Sequence, residues 1–568
     1  MDFDEITKKL GEFGRYQKFL YLLVCLTASI VGLFAVMGGI ILATPEHRCK
    51  IPGLENDTFE IQSEAHKDLI RQYIPPSSDL LLTYDQCYLY SFNSSSVTFD
   101  NLSRPINATR NKCTSWVYSF EVFDETVASK FDVVCDNAYQ TSLTKSLFYA
   151  GVFVGAFIFG QMSDYFGRKK TFYLSLILML VSSLALAFVP NFIGFSIINL
   201  IVGAASQGLF LTGFVIGVEL VGPSKRIWAG IVIEYAFAIG LICLAFIGYF
   251  VRNWQYLVII CALPFALNLC YWWLLPESPR WLISKKRFEE AEAVLRKAEK
   301  VNKVKLPDNL FDKDMDEVPK PTGNFIQLFT NRILLFRTLI IFFNWTIVTM
   351  IYYGLSLNSG NLGGNFYLNF FLSGLVEFPG YTIVLLFLDR LGRKRLHCIC
   401  MIVGGLTCIS TIFTILFGGK ELQALTTTLA MIGKLGAAAA FAIIYIYSAE
   451  LFPTVVRNSA LGASSCVGRI GNIAAPYVAD AGTMIGGKFG KAFPLLFFGA
   501  TAILAGCLAL FLPETLNQDL PETIEDGIQF GTDEYKNRKK DLSMEEKVMR
   551  PEQMAKLLPH DRQAQWSS

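Results

Sequence analysis

The chain has 568 residues, of which 52% are hydrophobic and 17% are charged, and its formal net charge is +2. Soluble domains usually carry about 25% charged residues, and the near-neutral balance gives no sign of nucleic-acid binding. The apolar residues occur in long runs rather than in alternation, which predicts an all-α membrane protein.

Twelve apolar runs are each long enough to cross a bilayer, which takes about 20 residues. The predicted spans are 19–43, 142–161, 171–189, 192–219, 228–250, 255–275, 333–355, 365–388, 398–418, 424–448, 459–480 and 492–512. The chain then divides into an N-terminal segment (1–18), the first span (19–43), a long loop (44–141), five further spans (142–275), a linker (276–332), six spans (333–512) and a tail (513–568).

Basic loops set the predicted orientation. The segments "GRKK" (167–170), "SKR" (224–226), "SKKR" (284–287) and "GRKR" (392–395) fall on one side of the membrane. The positive-inside rule makes that side the cytoplasm. We therefore expect a plasma-membrane protein with both termini in the cytoplasm, a linker helix at "RFEEAEAVLRKAEK", and a polar tail without stable order.

The long loop then lies outside the cell, and two features fit that compartment. Four N-x-S/T acceptors predict glycosylation. They are Asn56, Asn93, Asn101 and Asn107. Four cysteines predict two disulfides, and the sequence leaves the three possible pairings open. They are Cys49, Cys87, Cys113 and Cys135.

An internal repeat divides the chain into halves. The pairs are "SDYFGRKK" (163–170) with "LDRLGRKR" (388–395), "VELVGPSKR" with "AELFPTVVR", and "LPESPRW" with "LPETLN". Three matched pairs at a near-constant offset predict two homologous halves of six spans each.

This repeat resembles the major facilitator superfamily, whose two six-span halves hold a substrate near the membrane midplane and transport it by alternating access. At a finer level, residues 10–515 resemble the organic cation, carnitine and organic anion transporter family. The motifs are "ATPEHRC", "PESPRWLISKKRFEEAE", "YYGLSLNSGNLGG", "LVEFPGY", "GKLGAAAAF" and "AELFPTVVRN". "ATPEHRC", "SPRWLISKKRFEEAE" and "VGRIGNIAAPY" are most similar to the carnitine and zwitterion branch. The resemblance implies twelve helices in two pseudo-symmetric halves, with a large external loop between helices one and two.

Charged residues in the repeated motifs lie where spans leave the membrane on the cytoplasmic side. We expect ion pairs among them to hold the halves together in one transport state and to break in another. These cytoplasmic gate residues are Asp164, Arg168, Glu219, Asp389, Arg393, Glu450 and Arg457.

Arg469 is a charge in the middle of the eleventh span, where it costs about 2.5–3.5 kcal/mol on insertion scales. Helical spacing places it on a stripe of small and polar residues, so we expect it to face the protein interior or a cavity. Cation transporters of the resembled family carry aspartate at this position, whereas anion and carnitine members carry arginine. Those cation members also have a glutamate where this chain has Ala442. We expect Arg469 to bind a substrate carboxylate; a structural ion pair is the alternative.

Three further charges lie inside spans. Glu377 is shared with cation and carnitine members of the family, whereas family members usually have no acid at Glu234. We expect both to face a substrate ammonium group and Lys434 to belong to the same substrate-binding site. The alternatives are a structural hydrogen bond for Glu377, a pair of Glu234 with Arg469 or Lys434, and a Lys434 that only neutralises an acid.

Two pairs of aromatic residues complete the predicted binding site. Trp345 and Tyr352 are seven residues apart on one face of span seven, and Phe441 and Tyr445 lie on one face of span ten. Aromatic faces attract quaternary ammonium groups. The alternative is ordinary helix packing.

These residues predict a carrier of zwitterions, such as carnitine-like betaines and related amino compounds, with a small organic cation or zwitterion as its partner. The alternatives are a facilitative carrier of monoamines or acetylcholine-like amines, and an organic anion exchanger. The sequence has no metal-spaced His/Cys cluster, no nucleophile elbow and no Walker loop, so we expect no cofactor, no enzyme and no ATP-driven pump. Coupling to Na⁺ or H⁺ and the oligomeric state stay open.

Overall fold

The computed structural model describes residues 3–77, 84–91, 108–308, 310–311, 326–419 and 421–535, without the side chains of Ile227 and Met484. Twelve long helices dominate these residues. They are α1 (Arg15–Ala35), α2 (Tyr139–Phe166), α3 (Arg168–Ala187), α4 (Phe192–Glu219), α5 (Arg226–Phe250), α6 (Trp254–Asn268), α7 (Arg332–Asn358), α8 (Phe366–Leu375 and Glu377–Leu391), α9 (Arg393–Phe417), α10 (Gln423–Leu451), α11 (Arg457–Ile485) and α12 (Gly487–Ala509).

Local sequence explains several helix ends. Asn191 caps α4 by accepting a hydrogen bond from the amide of Gly194 at 2.7 Å, and an asparagine also caps α6, α7 and the first segment of α8. Such caps satisfy amides that have no partner within the helix. The break in α8 follows from Pro379, which lacks an N–H and whose ring crowds the carbonyl group of Leu375.

The helices form two halves that repeat the same packing. In α1–α6, α1 packs on α5, α2 on α4, and α3 on α4 and α6. In α7–α12, α7 packs on α11, α8 on α10, and α9 on α10 and α12. The halves meet where α2 packs on α11 and α5 packs on α8. The twelve-helix architecture with two pseudo-symmetric halves is therefore confirmed.

The helix α11 differs from the others in polarity. Eleven of the described helices are long and apolar enough to cross a membrane, and α11 is not among them although it has 29 residues. It contains Arg469, Asn472 and Asp480 within the length of a span. Its polar residues are tolerated because α11 packs against α7, α2 and α12 instead of facing lipid all round.

The loop between α1 and α2 forms a small disulfide-bonded unit. Strand β1 (His47–Cys49) pairs antiparallel with β4 (Trp116–Tyr118), and β2 (Tyr88–Ser91) pairs antiparallel with β3 (Thr109–Lys112). A helix covers Glu64–Tyr73. The disulfides join Cys49 to Cys113 and Cys87 to Cys135. Asn56 is exposed, whereas Asn93, Asn101 and Asn107 lie outside the described residues. We call the side of the bundle that carries this unit the loop face.

The opposite side carries "GRKK" and "GRKR" and is called the basic face. The linker helix is confirmed at Phe288–Asn302. The expectation of a tail without order is wrong for residues 513–535, because Arg337 of α7 donates hydrogen bonds to the carbonyl groups of Gly527 and Phe530 at 2.7 and 2.9 Å. Residues 536–568 lie outside the described part.

The remaining short helices are Phe3–Lys9, Gly38–Ile41, Val127–Lys130, Cys135–Asn137, Pro223–Lys225, Tyr271–Leu274, Pro279–Ser284, Gln327–Thr330, Ser359–Leu362 and Ile524–Gln529.

Candidate functional site

A central cavity lies between the two halves. It has a volume of about 740 Å³, counting its opening, and is lined by α1, α2, α4 and α5 of one half and α7, α10 and α11 of the other. Six of the eight predicted binding residues line it. They are Glu234, Trp345, Tyr352, Phe441, Tyr445 and Arg469.

Arg469 faces the cavity because the adjacent glycines of α11 pack against α7. A side chain at Gly471 would overlap the carbonyl oxygen of Thr346, and one at Gly468 would crowd Trp345. This close approach fixes the rotation of α11 and directs Arg469 toward α4 of the other half. There its Nη1 donates a hydrogen bond to Oε1 of Gln207 at 3.3 Å. Within the described part of the chain no acid pairs with Arg469, so the alternative of a structural ion pair finds no partner.

Glu234 lines the same cavity from α5. It has no hydrogen bond and no ion pair among the residues that the structure describes, and it pairs with neither Arg469 nor Lys434. Among the residues that the structure describes, the cavity thus contains one acidic and one basic side chain, and no ion pair neutralises either of them.

Glu377 and Lys434 are placed differently from our expectation that both bind substrate. The Nζ of Lys434 lies 3.0 Å from Oε1 of Glu377, and the two side chains are 1% and 0% exposed. The hydroxyl groups of Tyr352 and Tyr381 donate to Oε2 of Glu377 at 2.9 and 3.0 Å. Neither charged residue lines the central cavity. They neutralise each other inside the second half, so Lys434 fits the alternative in which it neutralises an acid.

Aromatic side chains form one wall of the cavity. The rings of Trp345 and Tyr445 lie 4.5 Å apart at their centroids, and those of Tyr352 and Phe441 stack at 5.0 Å. The indole N–H of Trp345 donates to Ser448 at 2.9 Å, which fixes the orientation of the ring. These residues pack on one another and also line the cavity, so the packing alternative and the binding expectation both describe them.

Sequence reasoning missed Gln207 and two tyrosines of this cavity. Tyr149 of α2 and Tyr353 of α7 have ring centroids 5.0 Å apart, across the boundary between the halves. A polar or aromatic residue in an apolar span is only weak evidence for a binding site, because many such residues pack between helices. Only the arrangement of the helices brings these three to the cavity.

The predicted gate residues form two equivalent clusters on the basic face. Arg168 lies 2.9 Å from Asp164 and 3.3 Å from Glu219. In the second half, Arg393 lies 3.0 Å from Asp389 and 2.9 Å from Glu450.

Each cluster stays within one half, so these pairs do not join the halves in this structure, and the expectation that they do so in one transport state stays a prediction. Arg457 donates to the carbonyl oxygen of Phe452 at 3.3 Å, and no acid pairs with it in the described residues.

Two glutamates outside our predicted sites stabilise the glycine turns that precede α3 and α9. Gly167 and Gly392 have φ angles of +106° and +93°, which glycine adopts without strain. Glu277 accepts a hydrogen bond from the amide of Arg168 at 2.8 Å, and Glu514 accepts one from the amide of Arg393 at 2.8 Å. Carboxylates are favourable at helix N-termini. The repeated "LPES" and "LPET" segments therefore stabilise the starts of α3 and α9.

Comparison with known proteins agrees with this architecture. The chain is 39% identical over 542 residues to the organic cation transporter protein of Drosophila melanogaster, covering 94% of this chain and 95% of that one. The chain belongs to the organic cation and carnitine transporter family. It is also 34% identical to human organic cation/carnitine transporter 2, covering 92% of this chain and 93% of the relative.

Broader comparisons give the same superfamily. The profile of the sugar (and other) transporter family matches residues 81–526. Among solved structures, the xylose transporter XylE from E. coli is similar with a TM-score of 0.55 at 15% identity, covering 89% of this chain and all of that one. That likeness shows the major facilitator fold. This family member is thus a multi-pass membrane transporter and not an enzyme.

Proposed function

We propose that this transporter carries organic cations that also bear a carboxylate, such as carnitine-like betaines, across the plasma membrane. One observation carries the proposal. Arg469 and Glu234 line one cavity, beside an aromatic wall, and neither has an ion-pair partner among the described residues.

The charges favour a substrate with both signs. A purely cationic substrate would leave Arg469 without an anion in a site of low dielectric, and a purely anionic one would leave Glu234 without a cation, both of which are unfavourable. A zwitterion can place its carboxylate on the planar guanidinium group of Arg469. Its ammonium group then lies toward Glu234 and the rings of Trp345 and Tyr445, where each cation–π contact is worth about 0.5–2 kcal/mol.

The relatives support this substrate class by name, since they include an organic cation transporter and an organic cation/carnitine transporter. The loop supports the orientation. Two disulfides require an oxidising compartment, so we place the loop face outside the cell and both termini in the cytoplasm. Exposed Asn56 is then available for glycosylation.

The test compares two substrates that share a trimethylammonium group. Cells expressing native protein, Arg469→Gln or the control Arg457→Gln take up labelled glycine betaine or choline, with and without Na⁺. Arg457 is on the same helix and does not line the cavity.

We expect Arg469→Gln to lower betaine uptake relative to choline uptake by at least about tenfold, because a hydrogen bond to a charged group contributes about 1.5–3 kcal/mol. An unchanged betaine-to-choline uptake ratio at equal surface expression would contradict the proposal. The arm without Na⁺ distinguishes Na⁺-coupled from uncoupled uptake.

The second candidate is a carrier of plain organic cations. It is favoured by the hydrogen bond between Arg469 and Gln207, which gives the arginine a neutral partner without any substrate. This candidate predicts little betaine uptake and choline uptake that Arg469→Gln leaves unchanged. An organic anion exchanger would instead be inhibited by dicarboxylates, and Glu234 counts against it.

A further inference from the structure

A buried ion pair joins the two halves near the loop face. The Nζ of Lys145 on α2 lies 3.0 and 2.9 Å from the two carboxylate oxygens of Asp480 on α11. The hydroxyl group of Ser142 donates to the same carboxylate at 2.7 Å. The side chains of Lys145 and Asp480 are only 7% and 12% exposed.

The position of the pair in the fold is specific. Lys145 lies near the start of α2 at Tyr139, and Asp480 lies near the end of α11 at Ile485, so both are at the loop-face ends of their helices. Among the ion pairs of the twelve described helices, this one alone joins opposite halves.

Other contacts between the halves surround it. Ser146, the residue after Lys145 on α2, donates to the carbonyl oxygen of Ile473 on α11, about two turns before Asp480, at 2.8 Å. Where α5 packs on α8, the hydroxyl group of Tyr367 donates to the carbonyl oxygen of Val122 at 3.1 Å, and Phe366 packs edge-on against Phe123. These contacts join the halves at the loop face, whereas each of the two basic-face clusters stays within one half.

We propose that Lys145 and Asp480 form the outer gate of this transporter. The pair closes the cavity toward the loop face in the state seen here and separates when the cavity opens to that side. In the open state both side chains are hydrated, so the equilibrium between the states depends on how well each charge is compensated when the gate is closed.

This dependence predicts a distinctive pattern of variants. Removing one partner leaves the other charge buried and uncompensated in the closed state only, which strongly disfavours that state. Exchanging the two residues restores compensation. The inference needs only the geometry and alternating access, and is independent of the substrate class proposed above.

The experiment measures access to the cavity from outside. Ser206 lines the cavity and is buried, so Ser206→Cys provides a thiol for a membrane-impermeant methanethiosulfonate reagent. The chain without this substitution gives the background from native cysteines.

We expect Lys145→Ala or Asp480→Asn to raise the labelling rate at position 206 about tenfold or more, since each leaves a buried charge unpaired. The exchange Lys145→Asp with Asp480→Lys should return the rate to the native value. Native rates in both single variants would overturn the proposal, and so would an exchange variant that labels as fast as the single ones.

Lys112 supplies two controls. It pairs with Asp136 on the surface of the loop, where their side chains are 62% and 72% exposed. Lys112→Ala removes a lysine from a pair that does not join the halves and should leave the labelling rate at position 206 unchanged. Lys112→Cys should be labelled from outside in every background, and failure of this labelling would contradict the proposed orientation rather than the gate.

A neutral variant tests the gate without leaving a charge buried. Lys145→Cys combined with Asp480→Cys is cross-linked with a bifunctional methanethiosulfonate reagent, and uptake of labelled choline and betaine is measured. We expect the cross-link to stop uptake and a reductant to restore it, with no such effect on the native protein. Undiminished uptake by the cross-linked protein would show that these residues do not separate during transport.

Discussion

Replacing Lys434 with methionine should expose the cost of burying Glu377. The carboxylate is fully buried, and the ammonium group 3.0 Å away is the only basic group paired with it among the described residues. Lys434 also donates to the carbonyl oxygen of Tyr352 at 3.0 Å and lies 3.4 Å from the centroid of its ring. Lys434 also donates a hydrogen bond to the hydroxyl group of Ser356, so the substitution removes four interactions and leaves an acid without its counter-charge.

The expected magnitude follows from burial. Exposed ion pairs contribute about 0–1 kcal/mol, but removing one partner of a buried pair costs about 3–5 kcal/mol, because the remaining charge is uncompensated. Glu377→Gln should cost a similar amount, since Lys434 then stays buried and the amide replaces only part of the interaction. The double variant Lys434→Met with Glu377→Gln should recover most of the loss, because neutral residues in place of a buried pair are often tolerated.

The assay is thermal unfolding in detergent of the purified native protein, the two single variants and the double variant. We expect a clearly lower melting temperature for each single variant and a value closer to native for the double variant. Lys112→Met, in the exposed pair with Asp136, should not change the melting temperature. If the effects of the two single substitutions simply add in the double variant, the two residues are not coupled and this reasoning is refuted.

Three further predictions concern other parts of the molecule. Trp345→Ala should raise the KM for choline about 2- to 30-fold by removing a cation–π contact, while the betaine-to-choline ratio stays constant; a changed ratio with constant KM would contradict the assignment. Burial raises the pKa of Asp57, but hydrogen bonds and the charge of Arg48 outweigh it and hold that pKa below its ordinary value of 3.8. A carboxyl group whose pKa is lower in the folded state stabilises the fold at pH values above its unfolded-state pKa, and this stability is lost as the pH falls through the folded-state pKa. The loop should therefore become sensitive to protease below pH 3.8. The Asp57→Asn variant should be sensitive already at neutral pH. Gly167→Ala should lower the melting temperature, because a non-glycine residue at φ +106° is strained by about 1–3 kcal/mol, whereas Gly160→Ala, which has space for a methyl group, should not.

Much of the fold follows from local sequence. The length of an apolar run is set by the thickness of the bilayer, so each span is determined by its own residues. The repeat of "GRKK" and "GRKR" identified two halves, because homologous segments fold alike. The direction of Arg469 also followed from sequence, since helical periodicity alone places it on the small, polar side of α11.

The tertiary structure decided which charges meet. Glu234 and Glu377 are each a single acid in an apolar span with small neighbours, and their local patterns are alike. One is unpaired in the cavity and the other is neutralised by Lys434, because α8 packs on α10 whereas α5 borders the cavity.

The sequence by itself thus determined the spans, the two halves, the transporter family and the side of α11 on which Arg469 lies. Only the tertiary structure selected the disulfide pairing, separated Glu377 from the cavity and joined Lys145 to Asp480, which is 335 residues away. The physical reason is that periodicity and hydrophobicity act within one helix, while burial and charge compensation depend on which helices are neighbours.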